Sequence, residues 1–205
     1  PRRAVDSLRS PLTPDVRRFM AADPNRFSDA FLGFSISKPS LWRFMPPAWS
    51  PAAMLTNSAE PDSIWRLHAP KPFVCFMGSH ASATEAFPTV QVTARRSRVP
   101  TSAEADALQE QTIAFLGEQC PDFDVLESST SNIVAGFRAS LLRSRYSLVA
   151  GEDDELLFSV LARSIVIFSP GVSFTIGMSS SEDPAYFDEG DFDRVLASVS
   201  IAKRV

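Results

Sequence analysis

The sequence predicts an α+β domain, a largely antiparallel β-sheet with helices packed on its faces. Two observations carry this reading. Between about residues 134 and 179, three long strand-like stretches follow one another with only short turns between them, which is how antiparallel neighbours are joined. Before and after this meander, two other stretches carry apolar residues at helical spacing and read as helices laid on the sheet.

Residues 1–28 read as an N-terminal arm. In "TPDVRRFMAAD", Thr13 stands as N-cap, Pro14 at the first helical position and Asp15 in the first turn, so a short helix is expected there, stopped by "DPNRFSD". Residues 29–205 read as a single domain. Its first strand lies in "LGFSISKPSLW", with Phe34 and Ile36 on one face and Lys38–Pro39 closing it. From about Trp42 to Pro72, "WRFMPPAWSPAAML" and its continuation read as an irregular insertion rich in proline and aromatics. "FVCFMGSH" and "PTVQVTARRSR" are the next strands. In the second, Val90, Val92 and Ala94 alternate with Gln91, Thr93 and Arg95.

"PTSAEADALQEQTIAFLGEQCP" predicts the clearest helix. Thr101 and Glu104 have capping-box spacing, and Pro121 blocks continuation. Ala105, Leu108, Thr112, Phe115 and Leu116 form its expected buried stripe. A lead-in strand near Phe123–Ser128 precedes the three long ones, expected at about Val134–Val149, Glu155–Phe168 and Val172–Ser179. "AGEDDE" makes the first turn; "SPG" makes the second, with Pro170 and Gly171 where a type II turn wants them. Val172, Phe174, Ile176 and Met178 point one way and Ser173, Thr175, Gly177 and Ser179 the other, the pattern of a half-buried antiparallel sheet. The apolar parity slips between Leu141 and Leu142, which predicts a bulge. In the closing stretch, Asp183 and Pro184 read as a helix start, and Phe192, Val195, Leu196 and Val199 recur at helical spacing.

Composition narrows the function. With 205 residues, 44% hydrophobic and 21% charged, the chain can bury a core; sixteen Phe against two Tyr place most aromatic area in rings that need no hydrogen-bond partner. A formal net charge of -4 argues against general affinity for nucleic acid or an anionic membrane. No apolar run approaches the ~20 residues that span a bilayer, and the N-terminal stretch has no apolar signal core. The chain starts at Pro1 rather than Met. The expected compartment is therefore open between the cytoplasm and, with an upstream signal or anchor removed, export. Cys75 and Cys120 are too few for a disulfide framework and are expected as free thiols. A monomer or weak dimer is expected.

Taken together, "LGFSISKP..W", a capped helix after the third strand, "GFRAS...RSRYSL", a second long strand and "YF....FDRVLASVSI" resemble the PsbP/Mog-like superfamily over roughly residues 31–201. That superfamily includes the extrinsic P subunit of photosystem II, the Ran-binding Mog protein, DcrB-like and LpqN-like bacterial lipoproteins, and effector-associated chaperones of type VI secretion. The resemblance implies an α/β/α sandwich. It also implies a protein that binds other proteins and has no shared catalytic site. The arm and the 42–72 segment depart from the pattern.

The residues themselves offer little chemistry. His68, His80 and Cys75, with Asp62 or Glu85, supply metal-ligand types, but a strand between the two histidines holds them too far apart to share an ion, so no metal is expected. No G-x-S-x-G elbow supports a serine hydrolase, and no glycine-rich loop supports nucleotide binding; no cofactor is expected. The acids of "GEDDE" and "FDEGDFD" read as solvated turn and helix-start residues.

Two features remain. Arg143, Arg145 and Arg163 are expected on one face of a hairpin, with Leu141 opposite Arg163 and Arg143 opposite Leu161. They could form a basic groove for an acidic partner, or be balanced by acids on neighbouring elements. Trp42, Arg43, Phe44 and Trp49 sit in the proline-rich segment, either as an exposed apolar anchor or folded back over a sheet edge. The expected function is a non-enzymatic protein-binding adaptor or chaperone-like module, related to the bacterial envelope or secretion. Its partner is a protein, contacted through these seven residues. The alternative is a carrier holding a small molecule or lipid in an apolar pocket between sheet and loop.

Overall fold

A computed structural model of the chain describes residues 23–45, 72–78, 87–150, 155–182 and 188–202. The large sheet has seven strands, all paired antiparallel. In chain order the strands are β1 (Arg26–Asp29), β2 (Phe34–Ser37), β3 (Arg43–Met45), β4 (Val74–Met77) and β5 (Thr89–Arg95), followed by helix α1 (Ser102–Gln119). Then come β6 (Asp124–Val134), β7 (Phe137–Ala150), β8 (Glu155–Ser169), β9 (Val172–Ser181), helix α2 (Glu189–Ala197) and β10 (Ser200–Ile201). The large sheet runs β3-β4-β5-β9-β8-β7-β6, and a small sheet runs β1-β2-β10.

The meander forms where alternation predicts it. Ser169 pairs with Val172 across Pro170–Gly171, and Gly171 has φ +82°, which the third residue of a type II turn requires. Even-numbered residues of β9 face the main core: Phe174, Ile176 and Met178 are buried there with Ile165 and Ile167 of β8. The small sheet covers this same face. Phe34 of β2 stacks on Phe174 with centroids 4.8 Å apart, and Phe192 of α2 is fully buried. Each such ring contributes roughly 1.5–3 kcal/mol by leaving water. α1 lies on the opposite face, where the Gln109 amide donates to the Leu141 carbonyl (2.8 Å) and to Ser128 Oγ (3.2 Å). Helices on both faces of an antiparallel sheet give the expected α+β architecture.

Several local expectations are corrected. Arg26, Phe27 and Ser28, expected at the end of the arm, belong with Asp29 to β1, which pairs with β2, while the helix expected near Thr13 lies outside the described residues. Arg43–Met45, expected as irregular, forms β3, an edge strand against β4. The lead-in strand is 11 residues long, because β6 follows β7 along most of its length. No bulge separates Leu141 from Leu142 in the ladder with β8; the irregularities fall at Leu148/Val149 and, on β6, at Val125/Glu127 and Ser129/Asn132. Both leucines are apolar because both faces are covered: Leu141 packs on the main core and Leu142 is buried on the face that α1 covers. α1 is rotated from the expected stripe. Ala105 is buried as expected, but Gln109 is buried while Leu108 and Thr112 are exposed, because the Gln109 amide anchors the helix to β6 and β7. Its capping box of Thr101 and Glu104 is formed as expected. The helix start expected at Asp183–Pro184 lies outside the described residues, and α2 is capped by Asp188, which accepts from Gly190 N at 2.8 Å.

Candidate functional site

Arg143, Arg145 and Arg163 do share one face, but the register differs from expectation by two residues. Arg143 lies opposite Arg163 and Arg145 opposite Leu161. The ladder closes at Ala150–Glu155, and the irregularity at Leu148/Val149 adds one more residue of offset. Because the offset is even, the facing survives.

Two guanidinium groups directly opposite each other repel. α2 supplies the counterion. Glu189 accepts from Arg143 Nη2 (2.9 and 3.0 Å) and from Arg163 Nη2 (2.8 Å), while Asp193, one turn on, accepts from Arg163 Nη1 (2.6 Å). The i, i+4 spacing places both acids on the side of α2 that meets the sheet. Glu127 of β6 lies 3.7 Å from Arg143 Nη1. Arg145 is held separately by Glu182 (3.2 Å) and Asp124 (3.1 Å), and these bonds raise its guanidinium above the ordinary value, Glu182 foremost. Three arginines thus meet five carboxylates, a formal charge of -2 for the cluster. Around Arg143 and Arg163 the acids also lie outermost. The Arg163 side chain is 11% exposed, whereas Glu189 is 43% and Asp193 67% exposed. The face is not a free basic groove; it is balanced by acids from α2 and β6.

Beside this network a cleft of about 350 Å³ opens between α2 and strands β6 to β8. Val134, Leu141, Ile165 and Leu196 give it an apolar lining, and Glu127, Arg143, Arg163 and Asp193 give it a charged one. Ile133, 70% exposed, stands at its margin on the edge strand β6.

The proline-rich segment contributes differently. Trp42 is only 6% exposed, with its ring centroid 6.0 Å from Phe76 and 6.3 Å from Phe192. Phe44 is half-buried, edge-on to Phe76 at 5.7 Å, with Lys38 Nζ 5.6 Å from its ring centre. Both side chains cover the β4 edge of the core, as the folded-back alternative requires, and neither joins the arginines. Arg43 is exposed on β3, and Trp49 lies outside the described residues. Sequence reasoning missed Glu189 and Asp193 as site residues; their i, i+4 acidic spacing was the available signal.

Cys75 is buried and Cys120 half-buried, both as free thiols. Burial pushes the Cys75 thiol up to about 11. Among the described residues no three of His, Cys, Asp and Glu converge as metal ligands; His68, His80, Asp62 and Glu85 lie outside them. No described helix is long and apolar enough to cross a membrane.

No family model matches the chain, and no curated protein is significantly similar to it in sequence. Its architecture, however, matches solved structures. It is similar to the cyanobacterial PsbP, CyanoP, of Synechocystis sp. PCC 6803, with TM-score 0.50 and 18% identity over 86% of this chain and 91% of that one. It is also similar to LpqN of Mycobacterium tuberculosis, with TM-score 0.50 and 15% identity over 97% and 96% of the two chains. The fold defined by the two sheets and their flanking helices is the PsbP-like, LpqN-like fold. At these identities the likeness is one of fold.

Proposed function

We propose that this chain is a non-enzymatic protein-binding module that receives a partner segment in the cleft between α2 and strands β6 to β8. The observation that carries the reading is the cleft itself. An apolar lining flanked by charged side chains, with an exposed Ile133 at its margin, combines the apolar centre and polar rim of protein interfaces. The clamped arginines hold the α2 wall against the sheet, so the cleft is preorganised. An envelope-related role is part of the proposal, supported by the likeness to LpqN, a protein involved in cell envelope biogenesis.

The carrier alternative has less support. Neither this cleft nor the roughly 220 Å³ pocket of Ser37, Lys38, Pro39, Arg194 and Val195 is lined by phenylalanine. Phe34, Phe73 and Phe174 instead pack on one another.

A pull-down from native host extract tests the reading. Wild type is compared with Ile133→Lys, a change at an exposed position that leaves the core intact. A partner retained by wild type and lost by a variant of unchanged melting temperature supports the cleft. A partner retained equally by both contradicts it.

A further inference from the structure

We infer that a second surface, away from the cleft, receives an acidic protein segment: the end of the large sheet where Arg95, Arg96, Arg98 and Arg138 converge. The inference stands independently of the cleft reading.

Strand register brings these arginines together. Arg95 ends β5 and lies opposite Ser173 of β9, and Ser173 lies opposite Phe168 of β8. Ala139 of β7 lies opposite Ile167, so Arg138 stands beside Phe168. Arg95 and Arg138 thus occupy one row across the sheet, three strand spacings or about 14 Å apart. Arg95 alternates with Ala94, which packs on the main core, so it points to the other face, the one that α1 covers. The loop from β5 to α1 crosses this row. Ser97 N donates to the Gly171 carbonyl (3.4 Å) and the Pro100 carbonyl accepts from Arg138 Nη1 (3.3 Å), which fixes the loop, with Arg96 and Arg98, across the β8–β9 turn.

Counterions are scarce there. Arg98 pairs with Glu104, but Arg95 and Arg96 are exposed and, among the described residues, make neither an ion pair nor a hydrogen bond. Arg138 is matched, among the same residues, by the Pro100 carbonyl alone. Arg143, Arg145, Arg163 and Arg194, by contrast, all reach carboxylates. In a chain of net charge -4 this end is a local cationic surplus, and neighbouring arginines without counterions repel one another until an anion arrives.

A guanidinium fork grips a carboxylate with two hydrogen bonds, and an extended segment covers about 14 Å in about four residues. The fitting partner is therefore an extended segment with two or more Asp or Glu within that length, next to an apolar side chain for Val99, which is 43% exposed in the same loop. An anionic membrane or a nucleic acid fits less well. Each presents a charged surface wider than this rim and than the Debye length of about 8 Å, and so also meets the acids that make the chain negative overall.

The test is selection of random decapeptides displayed on phage against the full immobilised chain, with clones sorted by weakening on Arg95→Gln/Arg96→Gln. That double change removes no hydrogen bond or ion pair among the described residues. Arg43→Gln, exposed at the opposite end of the sheet, is the control. Clones enriched in Asp and Glu are expected, bound about tenfold more weakly by the double variant, unaffected by the control and released by salt. Dependent clones without acidic bias, or clones weakened as much by Arg43→Gln, would overturn the inference. So would binding of phosphatidylcholine–phosphatidylglycerol vesicles, but of no peptide, through the two arginines. If no clone depends on Arg95 and Arg96 the inference falls, whatever becomes of the cleft.

Discussion

Replacing Trp42 by Ala separates a core side chain from an exposed binding anchor. The ring is 6% exposed and touches Phe76 of β4 and Phe192 of α2, so it joins the large sheet to the helix that walls the cleft. A buried Trp removes about 200 Å² from water, worth about 5 kcal/mol at ~25 cal/mol per Å², and core truncations of this size cost about 3–5 kcal/mol. For a chain of this length that corresponds to a fall in Tm of about 6–20 °C. Urea and thermal unfolding, followed by circular dichroism, measure it. Arg43→Ala, next door but exposed, should change stability by about 0.5 kcal/mol or less. A Trp42→Ala variant within about 1 kcal/mol of wild type would refute the placement of this ring in the core.

Gly33 and Gly171 both have positive φ, +65° and +82°, but an added Cβ at Gly33 would lie 3.1 Å from Ala202 Cβ, whereas Gly171 faces open space. Gly171→Ala should therefore cost only the backbone penalty of about 1–2 kcal/mol, and Gly33→Ala more; the reverse order in urea unfolding would contradict the packing of β10 against the β1–β2 turn. Glu104 is held at about 2 by Arg98 and by the Thr101 cap, against an ordinary value of 4.5. A depressed carboxylate supports the fold above its ordinary value and loses that support as pH falls towards 2. Protection of the first-turn amides of α1, relative to their intrinsic exchange rates, should fall over that range in wild type and not in Glu104→Gln; equal profiles would refute the cap's role. In thiol labelling at pH 8, half-buried Cys120 should react first, and Cys75, its thiol raised to about 11, only at the rate of unfolding; equal rates would contradict the burial of β4.

The parts of the fold legible in the sequence were those governed by local rules. Alternation in Val172–Met178, the Pro170–Gly171 turn and the Thr101/Glu104 box each depend on residues within a few positions. What escaped depends on contacts distant in sequence. β3 has three residues and exists because β4 pairs with it. The α1 face was misread because a polar residue, Gln109, docks the helix, against the habit of apolar stripes. At the site, the shared face of Arg143, Arg145 and Arg163 was legible from parity, but its charge was not. The acids that cover Arg143 and Arg163 come from α2, 26 to 46 residues away, so only tertiary packing shows that the arginines are neutralised.

The measurement that tests the central claim most directly is site-specific photocrosslinking in the native host. A photoreactive residue is placed at Ile133 beside the cleft and, as controls, at Leu41 and Leu108, which are exposed elsewhere. The account predicts a protein adduct from Ile133, absent from both controls. An adduct from Leu41 or Leu108 with none from Ile133 would place the binding surface elsewhere and contradict it.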